Sequence, residues 1–202
     1  MAHVLAKDLR DAVLQAAIQG LLTNYENTDT SILTILEDIK NKKNELIKNK
    51  EIKKVNIKQT VDFKKIMFDI PNYWQWVSLE EITSVLGDGL HGTPKYSTDG
   101  SIYFINGNNL CDGHIIINAS TKKVDDEEAN KYRKKLSDRT IFLSINGTLG
   151  NIAFYNNEPI ILGKSACYFN VFEPINLKYM SLFFRSKYFL DYINSANLQS
   201  CG

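Results

Sequence analysis

The chain has 202 residues, 44% apolar and 23% charged, with 11 Gly and 4 Pro, the balance of a folded protein rather than a disordered, collagen-like or disulfide-stapled one. No apolar run approaches the ~20 residues of a membrane span, and Lys7 and Asp8 fall where a signal peptide would be apolar. Three Cys (Cys111, Cys167, Cys201) and three His (His3, His91, His114) at wide spacings make neither a disulfide framework nor a metal site, so the chain reads as cytoplasmic, with no metal, no cofactor and no membrane partner.

The first predicted element is a helix over Leu5–Leu22. Leu14, Ala17, Ile18 and Leu21 form one stripe at i, i+3, i+4, i+7. Leu5, Leu9, Ala12, Val13 and Ala16 form a second beside it, which implies packing on more than one side. Gly20 and the polar run Thr23–Thr30 end this helix. Asp29, Thr30 and Ser31 offer caps for a second, in which Ile32, Ile35, Leu36 and Ile39 repeat the spacing and Leu46 and Ile47 continue it. A short loop between two amphipathic helices predicts an antiparallel hairpin over residues 1–50.

A basic segment follows. Lys40–Lys65 holds ten Lys against Glu45, Glu51 and Asp62, a net +7 in a chain whose total is +1. Counterion release depends on where cations sit, so this run suits a phosphate backbone. A solvated, lysine-rich helix end and linker over 51–65 would show the same composition.

From residue 66 the texture becomes short β-like runs. Strands are predicted at Trp76–Leu79, Ile102–Ile105, His114–Ile117, Ile141–Ile145, Ile152–Tyr155 and Ala166–Phe172. They are punctuated by Asp88-Gly89, Asp99-Gly100, Asn106-Gly107, Asp112-Gly113 and Asn146-Gly147. Helices are predicted over Asp125–Leu136 and, capped by Asn176, over Leu177–Ile193. The fold class is thus α+β: a helical hairpin, then a strand-rich mixed α/β domain over 66–202.

No catalytic pattern completes itself. Gly163-Lys164-Ser165 resembles the end of a phosphate-binding loop, but Glu158 stands where the first Gly belongs and a strand follows instead of a helix. Gly163-Lys164-Ser165-Ala166-Cys167 lacks the closing Gly of a nucleophile elbow. Gly147 and Gly150 do not make a dinucleotide fingerprint. Pro71, Pro94, Pro159 and Pro174 are isolated, whereas amino-methyltransferases carry a Pro-Pro pair. What remains is a set of polar loops, 87–96, 106–109 and 143–148. Asn reads adenine bidentately, while His, Ser, Thr and Lys serve base edges or phosphates; turn formation alone also accounts for such residues.

Several segments resemble the type I restriction–modification specificity (S) subunits. They are Ile70-Pro71-Asn72-Tyr73-Trp74-Gln75-Trp76-Val77-Ser78-Leu79-Glu80-Glu81-Ile82, Gly89–Tyr96, Phe104–Leu110, Ser144–Asn151 and Gly163–Tyr168, with Leu9–Gly20 similar to the family's helix ahead of a target recognition domain. The resemblance implies a non-catalytic subunit that binds double-stranded DNA. In the family, two recognition domains each read half of a split target, and helices dock modification (methyltransferase) subunits, which methylate adenine. A restriction (endonuclease) subunit completes the complex. One recognition domain is present here, and the resemblance implies that it is truncated at its C-terminal end. The candidate DNA contacts are His91, Thr93, Lys95, Tyr96, Asn106, Asn108, Asn109, Ser144, Asn146, Thr148 and Lys164, with Lys53 and Lys54 on phosphates. The alternative is a helical assembly module that docks a methyltransferase subunit, with DNA contact secondary.

Overall fold

The computed structural model describes residues 2–24, 30–54 and 68–199. The chain divides into two compact units, one of residues 1–84 with 172–202 and one of residues 85–171. The divisions expected at residues 50 and 65 followed composition. The compact units follow packing: the C-terminal helices fold with the N-terminal ones, and the strand-rich unit takes the stretch of sequence between. Lys58, Lys64, Lys65 and Cys201 lie outside the described residues.

In the first unit, α1 (Ala2–Ile18) is followed by α2 (Ile32–Lys48), α3 (Leu79–Ile82), α5 (Leu177–Phe184) and α6 (Lys187–Gln199). Gly20 ends α1 at φ +75°, with its amide donating to Ala17 O (3.1 Å) and that of Leu21 to Ala16 O (3.0 Å), a left-handed closing turn. A side chain there would strike Pro71 Cγ, 2.6 Å from an added Cβ. Ile18 is buried, and α1 is in contact with α5 and α6. The second stripe does not pack as expected: Leu5, Leu9 and Val13 are 74%, 67% and 51% exposed, because α1 presents one face to its neighbours.

α2 keeps its predicted spacing, with Ile39 buried and Ile35, Leu36, Leu46 and Ile47 half-buried. Its end repeats the closing turn on Lys50 at φ 60°, with Lys50 N donating to Ile47 O (3.0 Å) and Glu51 N to Leu46 O (2.9 Å). Lys43 is drawn inward from the basic run. Its ammonium donates to Glu80 O and to Thr83 O (3.1 Å), the orphan carbonyls at the end of α3. Burial pushes its pKa down while Glu80 and Glu81 oppose that.

Trp76–Leu79 is not a strand. Ser78 caps α3 instead, accepting from Glu81 N (3.3 Å) while the Glu81 carboxylate accepts from Ser78 N (2.7 Å). Ser-x-x-Glu is a capping-box pattern, and it outranks the aromatic run before it. The predicted Leu177–Ile193 helix is two helices. Asn176 caps α5 as expected, accepting from Tyr179 N at 3.1 Å. Ser186, fully buried, then takes Phe183 O (2.6 Å) with its hydroxyl and accepts from Phe189 N (3.2 Å), a local bonding alternative that breaks the helix. Both helices pack rings on Trp76, Phe183 of α5 at 6.3 Å and Tyr188 of α6 at 5.8 Å between centroids, and Tyr188 also meets Phe68 at 5.0 Å.

The second unit is built on strands. They are β1 (Thr83–Asp88, mostly in this unit), β2 (Ile102–Ile105), β3 (Leu110–Cys111), β4 (His114–Ile115), β5 (Lys123–Val124), β6 (Thr140–Ser144), β7 (Ile152–Phe154), β8 (Ile160–Leu162) and β9 (Ala166–Val171). One sheet has the order β1-β9-β6-β7, a second β5-β2-β8, and β3 and β4 pair by themselves. Helix α4 (Asp126–Asn130) is shorter than the predicted Asp125–Leu136. The β5-β2-β8 sheet is buried on both faces. Ile105, Ile160 and Leu162 enter one apolar cluster with Phe142, Ala166 and Tyr168, while Ile102, Phe104 and Ile161 enter another with Val124 and Ala129. Two covered faces erase the alternation by which a strand is read from sequence, which is why Ile160–Leu162 and Lys123–Val124 were not predicted. Inside the first sheet, Thr140 Oγ1 donates to Asn170 Oδ1 (2.6 Å), and Asn170 Nδ2 donates to Lys135 O (3.0 Å).

Candidate nucleic-acid interface

Register brings the polar loops of the second unit together. β2 and β8 run parallel with Ile105 opposite Leu162, so the chain leaves both strands at the same edge. β6 and β9 are antiparallel with Ser144 opposite Ala166, so the end of one adjoins the start of the other. Leu90 forms a parallel bridge to Gly163, donating its amide to Leu162 O at 2.7 Å. The four segments 89–96, 106–109, 144–148 and 163–165 therefore converge.

Three glycines make the convergence possible. A Cβ on Gly89 would collide with the carbonyl oxygens of Leu162 and Gly163, one on Gly107 with Ser144 Oγ, and one on Gly163 with Asn106 Oδ1. Close approach of backbone to its neighbours, not positive φ, dictates glycine at these positions.

Hydroxyls and amides knit the contact. Ser165 Oγ accepts from Gly107 N (2.8 Å) and donates to Asn106 Oδ1 (3.2 Å). Asn109 Oδ1 accepts from Asn106 N (3.0 Å), and its Nδ2 donates to Ile116 O (3.0 Å). Thr148 Oγ1 donates to Gly107 O (3.3 Å) and lies 3.4 Å from Ser144 Oγ, which donates to Asn146 O at 3.3 Å. Ser144 is fully buried. Four of the candidate contacts, Asn106, Asn109, Ser144 and Thr148, thus have their polar atoms engaged within the protein.

The others face outward. Asn108, Asn146 and Lys164 are exposed, and the side-chain amides of Asn108 and Asn146 bond to none of the described residues. His91, exposed, is hydrogen-bonded to Asp88, and that bond, ahead of a weaker pull from Lys134, holds the Asp88 carboxyl below its usual range. Thr93 and Lys95 are exposed on either side of buried Pro94. The Tyr96 ring lies 6.0 Å from that of Phe104, with the Lys122 ammonium 5.9 Å above it. Lys53 and Lys54 are exposed and belong to the first unit.

Several neighbours escaped sequence reading. Asp88 stands three residues before His91, a spacing that could have suggested the pair. Ser165 lies in the Gly163-Lys164-Ser165 stretch, whose sequence suggests a phosphate loop or a nucleophile elbow and not a tie between loops. Glu128 is buried at 7% exposure, accepting from Lys95 N (2.8 Å) and Lys131 Nζ (2.8 Å). Those two donors hold its carboxyl below the usual range, Lys131 foremost. No sequence signal couples residues 95 and 128. Lys134 stacks over the Tyr168 ring at 5.7 Å, and burial raises the Tyr168 pKa.

Among the described residues no cluster of His, Cys, Asp or Glu is placed to hold a metal ion, and no helix is long and apolar enough to cross a membrane. The arrangement offers a rigid, mixed-polarity edge with outward amides, an imidazole and ammonium groups.

No protein-family profile matches the chain. The type I restriction enzyme EcoEI specificity subunit of Escherichia coli is 30% identical over 79 residues, 39% of this chain and 13% of that protein. The EcoAI specificity subunit, also of Escherichia coli, is 29% identical over 79 residues with the same coverage. The HsdS subunit from Thermoanaerobacter tengcongensis superposes over 90% of this chain and 40% of that one, at a TM-score of 0.44 and 12% identity. Over those 79 residues the chain is similar to type I restriction specificity subunits, and it spans about an eighth of the length of these relatives.

Proposed function

We propose that the chain is a non-catalytic module that reads the sequence of double-stranded DNA for a type I restriction–modification complex. It would direct adenine methylation and cleavage by partner modification and restriction subunits. The observation that carries this reading is the convergence of four polar loops on one rigid edge, in a chain that shares sequence with specificity subunits. Base edges need fixed donors and acceptors, and loops pinned by Gly89, Gly107 and Gly163 keep theirs fixed. Within this reading the candidates divide by role. Asn108, Asn146 and His91 address bases. Thr93, Lys95, Tyr96 and Lys164 flank them, while Lys53 and Lys54 serve phosphates. Asn106, Asn109, Ser144 and Thr148 hold the loops.

The test is binding of the full chain to pools of random duplexes across a salt series. Affinity falls steeply with salt and a subset of sequences is enriched. Absence of enrichment at every salt concentration sinks the proposal.

A second reading, a helical assembly module, is favoured by one observation: the exposed Leu5, Leu9 and Val13 stripe on α1. If assembly is the main role, Leu9→Asp abolishes co-purification with a methyltransferase subunit and leaves duplex binding by the chain untouched. If reading DNA is the main role, Leu9→Asp leaves co-purification intact, and the chain alone shows base preference.

A further inference from the structure

The arch over residues 91–94 is tied down at both ends. At its start, Gly89 lies against Leu162 O and Gly163 O, and Leu90 N donates to Leu162 O. At its far end, Pro94 is buried, Lys95 N donates to Glu128 Oε1 at 2.8 Å, and Ser97 N donates to Lys123 O at 2.9 Å. All of these ties but one are made by backbone or by packing. The exception is the carboxylate of Glu128, brought in from α4.

Glu128 is itself built in. Asp125 Oδ1 accepts from Glu128 N at 2.8 Å and caps α4. The next residue, Ala129, is fully buried with Val124 in the cluster of Phe104 and Ile161. The helix is thus anchored in the apolar interior, and it delivers one carboxylate to one amide of the arch. Lys131 Nζ balances the charge at 2.8 Å. A carboxylate hidden to this degree needs such partners, and two are present. One of them is a backbone amide 33 residues away, in a segment that carries His91, Thr93, Lys95 and Tyr96.

We infer that Glu128 is a positioning residue: by clamping the Lys95 amide it fixes the 91–96 arch in the conformation that addresses base edges. This rests on the DNA-reading role proposed above and extends it to a residue that touches no DNA. Pre-organised loops bind with less ordering on contact, and a charged acceptor on a backbone amide is among the stronger hydrogen bonds.

Two measurements on the full chain test it, with Glu128→Met and Glu128→Gln. Gln keeps an oxygen acceptor of the same reach and discards the charge. Hydrogen exchange of the free protein comes first: Glu128→Met speeds exchange of the 90–97 segment by about tenfold or more. The 144–150 segment stays at the wild-type rate, and Glu128→Gln restores most of the protection. Selection from random duplexes comes second: Glu128→Met loses about tenfold of preference at a subset of base positions, keeps it at the rest, and Glu128→Gln recovers it.

Unchanged exchange in Glu128→Met overturns the clamp. Faster exchange with undisturbed preference overturns the positioning role while leaving the DNA-reading proposal intact. A uniform loss of affinity at all positions, without change of preference, also overturns it, since that is what general loosening produces. If the wild-type chain itself shows no preference, the DNA-reading proposal fails, and with it the role assigned here.

Discussion

Asn106-Gly107 and Asn146-Gly147 are the same dipeptide in two loops that meet at one edge, and they do different work. Gly107 is buried with no room for a Cβ, because Ser144 Oγ occupies that space. The Asn106 side chain is spent on Ser165. Gly147 is exposed at φ +78° with nothing within 4 Å of an added Cβ, and Asn146 points its amide at solvent. One pair is a knot and the other an ordinary positive-φ turn. Composition marks both as turns; only packing tells which one keeps a side chain free for a ligand.

Substitutions can break that contrast. The largest effect is expected at the knot. Gly107→Ala forces Ser144 off its place and destabilises the second unit by about 3 kcal/mol, read from denaturant unfolding. A loss below about 0.5 kcal/mol would show that the close approach is not real. Asn106→Ala comes next. It leaves Ser165 Oγ without its acceptor and is expected to destabilise by roughly 1–3 kcal/mol. At the turn, Gly147→Ala places a Cβ on a left-handed residue and costs about 1 kcal/mol, through strain and not through collision. The reverse exchange sits at Lys50, which holds φ 60° with a side chain; Lys50→Gly is expected to add a few tenths to about 1 kcal/mol of stability.

A titration sharpens the contrast further. Cys167 pairs with Leu143 in register, next to the Ser144–Ala166 pair that anchors the knot. Burial pushes its thiol up from 9.0 to about 12. Its folded value is the higher one, so the contribution to stability is complete below pH 9, where the unfolded thiol also keeps its proton. It is lost as pH rises from 9 toward 12. Stability measured across that window should fall, and Cys167→Ala should flatten the fall. An unchanged slope would mean that the thiol is not desolvated.

How much of this was legible in the sequence varies from element to element, for physical reasons. α2 is legible from Ile32 to Ile47 because its buried and half-buried residues fall on one apolar stripe, the case in which periodicity reports burial faithfully. β6 and β9 were found because β-branched and aromatic residues fill them. β8 was missed since Ile160, Ile161 and Leu162 are all buried, two facing one cluster and one the other. The α5–α6 break was missed because it rests on the Ser186 hydroxyl and on no Gly or Pro.

At the site, the loops were legible as loops, and their polar residues as candidates. The division of labour among them was not. Ser144 and Thr148 look as available as Asn146 in the sequence, yet their hydroxyls bond to the protein itself, Ser144 in the interior and Thr148 at the surface. That outcome depends on which strand ends share an edge, a long-range property absent from any local pattern. The basic run shows the same limit. Lys43 is taken by the carbonyls of Glu80 and Thr83, so a count of lysines overstates what is offered to a phosphate.

The most direct measurement is selection of duplexes from a random library by the wild-type chain and by Asn146→Ala, paired with thermal unfolding of both. The account predicts equal unfolding midpoints, an enriched sequence motif for the wild type, and loss of about 1–3 kcal/mol of discrimination at one base position for Asn146→Ala. An identical motif from both proteins, or none from either, would contradict it.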